Sequence, residues 1–330
     1  MTFLTNKETP SVLVDPQFGI EWRDILDFLG EFGPFNGRYI PRYPNNWTAR
    51  LKEHLEDLTS SAYGPVKRHA ILERIRRELP LCSVPVAWKY SEEQSWSANV
   101  SQAITSHDDS IVVGNALEPT PFIAWVEALE DIRESRRRTW SFYGTVSEYV
   151  DACRPLLLNS PASYLIDCYL DPFSDVAENL LKSLFSAAGG SKCYSIGLIT
   201  RKSACGTKSG LRPTQDMNET EIEANFKRIY RSIVPKDRRL TLHLATEGKV
   251  GGDALRLHDR FFLTKHGSIN FGQGYLLVNQ RVPQQNAFVV DKDHHHQLKQ
   301  TYIDGVARHA ERLPKVPSIP YPLKVVSICA

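Results

Sequence analysis

From about Ser160 to the C-terminus, short runs rich in β-branched and aromatic residues alternate with amphipathic stretches, and no other pattern in the chain narrows the fold so far. Repeated switching between a period of two and a period of 3.6 builds strand–helix–strand units, so an α/β domain with a mixed sheet is expected here. Tyr164–Leu170 reads as the first strand. Asp171-Pro172-Phe173-Ser174 opens a helix capped by Ser174 or Asp171, which runs through Leu180, Leu181, Leu184 and Phe185 to a stop at Gly189-Gly190. A second strand, Cys193–Thr200, leads into a Gly/Ser/Lys-rich loop, a helix over Glu219–Ile233 and a strand at Leu240–Leu244. Leu257–Leu263 and Ser268–Phe271 then flank a Lys265-His266-Gly267 turn. A strand at Ala287–Asp291 and a helix from Asp293 to Arg312 close the order before a proline-rich tail.

The first 150 or so residues have a different texture. Apolar residues recur at helical spacing in Trp22–Leu29, Trp47–Leu58 and Val66–Leu79, the last ending before Pro80, and Phe122 to Arg138 reads as a further helix. The 330 residues therefore divide into a mainly helical N-terminal adaptor domain at 1–155 and an α/β domain at 156–330. With 42% hydrophobic and 24% charged residues, the chain is neither disordered nor fibrous. No apolar run approaches the roughly 20 residues of a membrane span, and Met1–Glu8 lacks a basic-then-apolar leader, so a cytoplasmic protein without a transmembrane segment is expected. Six cysteines without a C-x-x-C pair or Cys/His ligand spacing point to reduced thiols, with no structural metal and no cofactor.

Net charge is only +2, but it is unevenly distributed: Arg201–Lys265 holds 14 Lys/Arg against 8 Asp/Glu. A basic region in a near-neutral protein suits a polyanion, and a solvated face suits it equally. Within that region, strand alternation puts His258 and Arg260 on one side and Asp259 and Phe261 on the other. An imidazole beside a permanent cation handles phosphate well, because the guanidinium forks onto two oxygens and the imidazole attacks phosphorus or moves a proton.

His258-x-Arg260, four residues, Lys265, six residues, Gly272-Gln273 resembles the H-x-K signature of the phospholipase D superfamily, and the order of strands and helices from 160 to 312 resembles one half of that fold. Ile166-Asp167-Cys168-Tyr169 together with His258-Asp259-Arg260 is also similar to the phospholipase D-like C-terminal domain of MIT-domain proteins and its bacterial, defence-associated relatives. The resemblance implies a mixed-sheet phospholipase D-like domain in which His258 attacks phosphorus and Arg260 with Gln273 stabilises the phosphorane. Departures are plain: Arg260 replaces the lysine, Lys265 stands at the acidic position, Gln273 replaces serine and Tyr275 replaces asparagine. One motif supplies one histidine, so a complete site requires two chains meeting as a homodimer. Two readings stay open. The first is a nucleic-acid-binding domain acting as a metal-independent nuclease or phosphodiesterase in bacterial antiviral defence. The second is a catalytically inactive scaffold for a protein partner or an anionic lipid.

Lys265, Gly272, Asp167 and Tyr169 are the expected binding residues around this motif, and Lys227, Arg228 and Arg231 would lengthen a phosphate groove if they bordered the same face. His294-His295-His296 sits where a helix begins, and three consecutive residues cannot converge on one ion from a regular helix, so an exposed cap is the better reading. Six tryptophans, among them Trp47, Trp88 and Trp96, give the N-terminal half a way to dock a protein partner, although buried tryptophans usually belong to a core.

Overall fold

Trp47, Leu51 and Leu55 fall on one side of a helix and enter a hydrophobic core. The structure, a computed structural model, describes residues 12–14, 25–60, 64–86, 88–104, 111–113, 122–123, 139–142, 144–189, 191, 193–206, 217–245, 249–250, 253–254, 260–272, 285–304 and 323–329. The chain forms two units, Met1–Arg138 and Thr139–Ala330.

The first unit runs β1 (Val12–Val14), α1 (Ile25–Gly30), β2 (Ile40–Arg42), α2 (Trp47–Ser60), α3 (Pro65–Cys82), β3 (Ser83–Pro85), α4 (Trp96–Ile104), β4 (Ile111–Val113) and β5 (Phe122–Ile123). β1, β4 and β5 make a parallel three-stranded sheet, and β2 pairs in parallel with β3. Its core gathers Val14, Ile25, Phe28, Ile40, Trp47, Leu51, Leu55, Ile75 and Leu79. Trp47 is fully buried and donates its indole N–H to Val14 O at 2.7 Å, so it is a core residue and presents nothing to a partner. Trp88 and Trp96 are half-buried and pack against the cluster of Tyr43, Val86 and Val100. Two expectations change in this unit. The third helix continues through Pro80 to Cys82, since a proline in the last turn removes only one N–H and the Leu79 carbonyl is taken by Ser83 Oγ at 2.6 Å. Phe122 and Ile123 pair with Val112 and Val113 as a strand and do not begin a helix, while residues 124–138 lie outside the described residues.

The second unit opens with β6 (Thr139–Phe142) and α5 (Val146–Asn159), so its start lies at Thr139 rather than 156. A capping box between Thr145 and Glu148 starts α5. Then come β7 (Ala162–Asp167), α6 (Asp175–Ala187), β8 (Ser195–Arg201), α7 (Glu219–Tyr230), β9 (Arg239–Ala245), the short β10 (Lys249–Val250) and β11 (Asp253–Ala254), β12 (Arg260–Thr264), β13 (Ser268–Asn270), β14 (Gln285–Val289), α8 (Lys292–Leu298) with a wider π-helical turn to Asp304, and β15 (Leu323–Cys329). Eight strands form one sheet in the order β15-β9-β8-β7-β12-β13-β14-β6. β7, β8 and β9 run parallel and every other neighbour is antiparallel, which makes this an α/β fold with a mixed sheet. Ser174 and Asn218 cap α6 and α7 by accepting from backbone N–H groups three residues on.

One sheet face carries Ile166, Ile199, Phe261 and Leu263 against Leu298 and Tyr302 of the closing helix. Gly197 sits in that face opposite Tyr164, whose Cδ1 would lie 2.6 Å from an added Cβ. The helix expected at 293–312 is described only to Asp304, and α6 ends at Ala187, short of the two glycines. The expected tail is corrected most: Leu323–Cys329 is an edge strand in full antiparallel register with β9. Prolines upstream masked its β-branched content, which a strand needs and a tail does not. Among the described residues no helix is long and apolar enough to cross a membrane.

Candidate functional site

The central strand β7 ends in a carboxylate that shapes the chain beyond it. Asp167 is fully buried, and its Oδ1 accepts the backbone N–H of Tyr169 at 2.9 Å, an Asx turn that lifts the chain out of the sheet. Thr200 Oγ1 on the neighbouring β8 donates to Leu170 O at 2.8 Å and fixes the turn. Asp171, also buried, accepts from the N–H groups of Phe173 at 3.0 Å and Gly206 at 3.1 Å. The crest at the C-terminal ends of β7 and β8, where parallel sheets present functional groups, is thus held by two buried carboxylates.

Two guanidinium groups share this crest. Arg260 opens β12 directly across from Asp167 in the ladder, and its Nε lies 4.0 Å from Asp167 Oδ1. Its Nη1 donates to Gly272 O at 2.8 Å, and its guanidinium carbon stands 5.0 Å from the centre of the Tyr169 ring. Gly272 has φ +40°, a left-handed conformation that glycine takes readily, and its N–H is fixed by Asn270 Oδ1 at 2.8 Å. The guanidinium carbon of Arg201, the last residue of β8, stands 4.9 Å from the same ring. Both contacts have cation–π geometry. The Arg260 side chain is 22% exposed, so it is neither sealed in the core nor waving in solvent. Of its five N–H groups one is committed to Gly272 and the Nε–H is buried, which leaves the outer Nη groups to reach phosphate oxygens.

Cys168 lies between these groups and is no nucleophile: burial, then the Asp167 charge, push its thiol up to about 12 against the smaller opposing pull of Arg201 and Arg260. Cys82, Cys153, Cys193 and Cys205 are likewise free and buried, with burial raising each thiol.

Asp167, Tyr169, Arg260 and Gly272 are thus brought together, whereas His258 and Gln273 lie outside the described residues. Lys265 is not with them. It occupies the β12–β13 turn, at the other end of the strand from Arg260 and about 16.5 Å away along it at 3.3 Å per residue. Lys227, Arg228 and Arg231 are exposed on or just after α7, and the first two are engaged locally, with Glu223 at 2.6 Å and Asn225 at 3.3 Å. The α7 helix is tied to the β7–α6 connection by Tyr230, whose hydroxyl donates to Pro172 O at 2.6 Å. Arg201 is the site residue that sequence reasoning missed, and its place at the C-terminal end of the second parallel strand is the signal that points to it.

The histidine run behaves as a helix start, with one change. Asp291 caps α8 by accepting from Asp293 N and His294 N, both at 3.0 Å. His295 is buried rather than exposed, its Nδ1 lying 3.2 Å from Ser268 Oγ. Helical periodicity turns that one ring inward while His294 and His296 stay outside. Among the described residues no group of three His, Cys, Asp or Glu side chains is placed to hold a metal ion.

No protein-family model matches the chain, and no curated protein does. Among solved structures, that of TrmBL2, an archaeal chromatin protein described as showing a novel mode of DNA binding, is similar over 79% of this chain and 81% of its own at 11% identity. Its TM-score of 0.27 is too low to carry an argument.

Proposed function

We propose that the second unit is a phospholipase D-like domain that binds the phosphodiester backbone of nucleic acid at the β7–β8–β12 crest, with Arg260 as its principal anion-gripping group. The supporting observation is the placement of Arg260, partly exposed, stacked on Tyr169 and bonded to Gly272. A guanidinium oriented in advance loses little entropy when it forks onto phosphate. In the enzymatic form, two chains pair so that His258 of one and His258 of the other serve one phosphate as nucleophile and general acid. The resemblance to defence-associated bacterial relatives extends the proposal to invading DNA as substrate.

The engagement of Arg260 Nη1 with Gly272 favours a second reading, in which the site binds without turnover as a scaffold. Fluorescence anisotropy with labelled DNA and RNA oligonucleotides, followed from low to high salt, tests both. Arg260→Ala is expected to weaken binding about tenfold or more, the worth of a charge-assisted hydrogen bond. Cleavage in the presence of a chelator, abolished by His258→Ala, supports the nuclease, whereas salt-sensitive binding without product supports the scaffold. Equal affinity of the wild type and Arg260→Ala refutes the site.

A further inference from the structure

Register decides on which side of the sheet each arginine leaves its strand. Ile166 pairs with Ile199 and with Phe261, and all three lie in one buried face. Arg201, two residues after Ile199, continues on that face, while Arg260, next to Phe261 and across from Asp167, belongs to the other. The two side chains therefore leave their strands on opposite faces, and both guanidinium groups lie over the Tyr169 ring. Each is within 5.0 Å of one ring centre, so their centres are no more than about 10 Å apart. A ring that two cations share after leaving opposite sheet faces suits separate phosphates better than one shared phosphate. It also holds two like charges at a set separation, which in the absence of an anion is favourable only because the ring faces and the buried Asp167 carboxylate offset the repulsion.

We infer that Arg201 is a second phosphate-gripping residue, and that Tyr169 acts as a spacer setting Arg201 and Arg260 to engage two neighbouring phosphates of one nucleic-acid strand. This rests on the proposed backbone-binding function and sharpens it. The ligand is a chain of phosphodiesters rather than a lone phosphate such as a simple lipid headgroup, and Tyr169 is a positioning residue that need not touch the ligand.

The test uses the full chain and a labelled single-stranded 20-mer, with affinity measured across a salt series. Each phosphate neutralised on a single strand contributes about 0.7 to the slope of log K against log salt. Arg201→Gln and Arg260→Gln are each expected to lower the slope by about 0.7, and the double variant by about 1.4. Tyr169→Leu, which removes the ring, is expected to weaken affinity with the slope nearly unchanged. Arg201→Lys, which keeps the charge but not the planar fork, guards against loss of fold: it is expected to retain the slope and lose affinity. A double variant whose slope falls only as far as either single variant means one shared phosphate and overturns the inference. Arg201→Gln or Arg201→Lys indistinguishable from wild type, with Arg260→Gln weakened, overturns the inference and leaves the functional reading standing. Wild-type protein that ignores oligonucleotides overturns both. The same holds for wild type that sediments with phosphatidylserine vesicles alone and loses that binding in the double variant, which would make the site a lipid headgroup site.

Discussion

Asp167→Ala is the perturbation whose effect the geometry fixes most closely. Two of the groups the carboxylate serves inside the protein, a backbone N–H and a guanidinium, differ in strength. Its 2.9 Å bond from Tyr169 N–H joins a charge to a donor, a class worth about 1.5–3 kcal/mol. The Arg260 Nε lies 4.0 Å away without a hydrogen bond, at the outer limit of an ion pair, so that attraction adds about 1 kcal/mol. Alanine is therefore expected to destabilise the second unit by about 2–4 kcal/mol, and Asp167→Asn, which keeps an acceptor at Oδ1, by about half as much. For a unit spanning Thr139–Ala330, each kcal/mol lowers Tm by about 2–4 °C, which puts the alanine variant about 5–15 °C down. Urea unfolding of wild type, Asp167→Ala, Arg260→Ala and the double variant gives the coupling directly. A coupling above about 2 kcal/mol would show that the ion pair, not the Tyr169 turn, is the carboxylate's main work, and a total loss under about 0.5 kcal/mol would refute the anchoring role altogether.

Other consequences are equally open to measurement. Gly197→Ala places a methyl 2.6 Å from Tyr164 Cδ1 and 3.3 Å from Thr241 Oγ1 in a packed face, and overpacking of this kind is expected to lose about 1–3 kcal/mol in a thermal melt, largely restored by Tyr164→Leu in the same chain. Burial holds the His243 imidazole down to about 4, below its ordinary value, so the unfolded chain takes up the proton first as pH falls. Stability from this group is present in full above about pH 6.5 and declines toward pH 4 by up to about 1.4 kcal/mol per unit; His243→Gln should flatten that slope in urea titrations. Truncation before Leu323 strips β9 of its seven-residue antiparallel partner and bares a hydrophobic ladder, so the shortened chain is expected to aggregate on heating at a lower temperature than the full chain, as light scattering would report.

The order of strands and helices between 160 and 304 was legible because each element carries its own period and its own cap, as Ser174 and Asn218 do for α6 and α7. Strand pairing is non-local, and there legibility failed. Leu323–Cys329 has the composition of a strand, yet nothing near it in sequence announces that its partner is Arg239–Ala245. Thr139–Phe142 similarly joins the sheet through residues 285–288, which moves the domain boundary upstream. The site divides the same way. A motif on one stretch of chain names Arg260 and Gly272, and the hairpin of β12 and β13 returns the second to the first. It also names Lys265, which the same hairpin carries to the far end.

Arg201 belongs to no motif, and its role is a matter of register alone. The parallel ladder from Ser195↔Arg239 to Arg201↔Ala245, with Ala162↔Ser195 through Ile166↔Ile199 on the other side, sets which β8 side chain ends beside Tyr169. A slip of one residue would send Arg201 to the opposite face and offer Thr200 in its place, taking away both the second cation and the bond to Leu170 O that fixes the turn. The apolar residues of β8 resist that slip, since Ile196, Leu198, Ile199 and the crowded Gly197 each suit only the neighbours they now have. The core of the sheet thereby determines the spacing of charges at its crest, and substitutions at Gly197 that loosen the register should weaken oligonucleotide binding at a distance from every group that touches it.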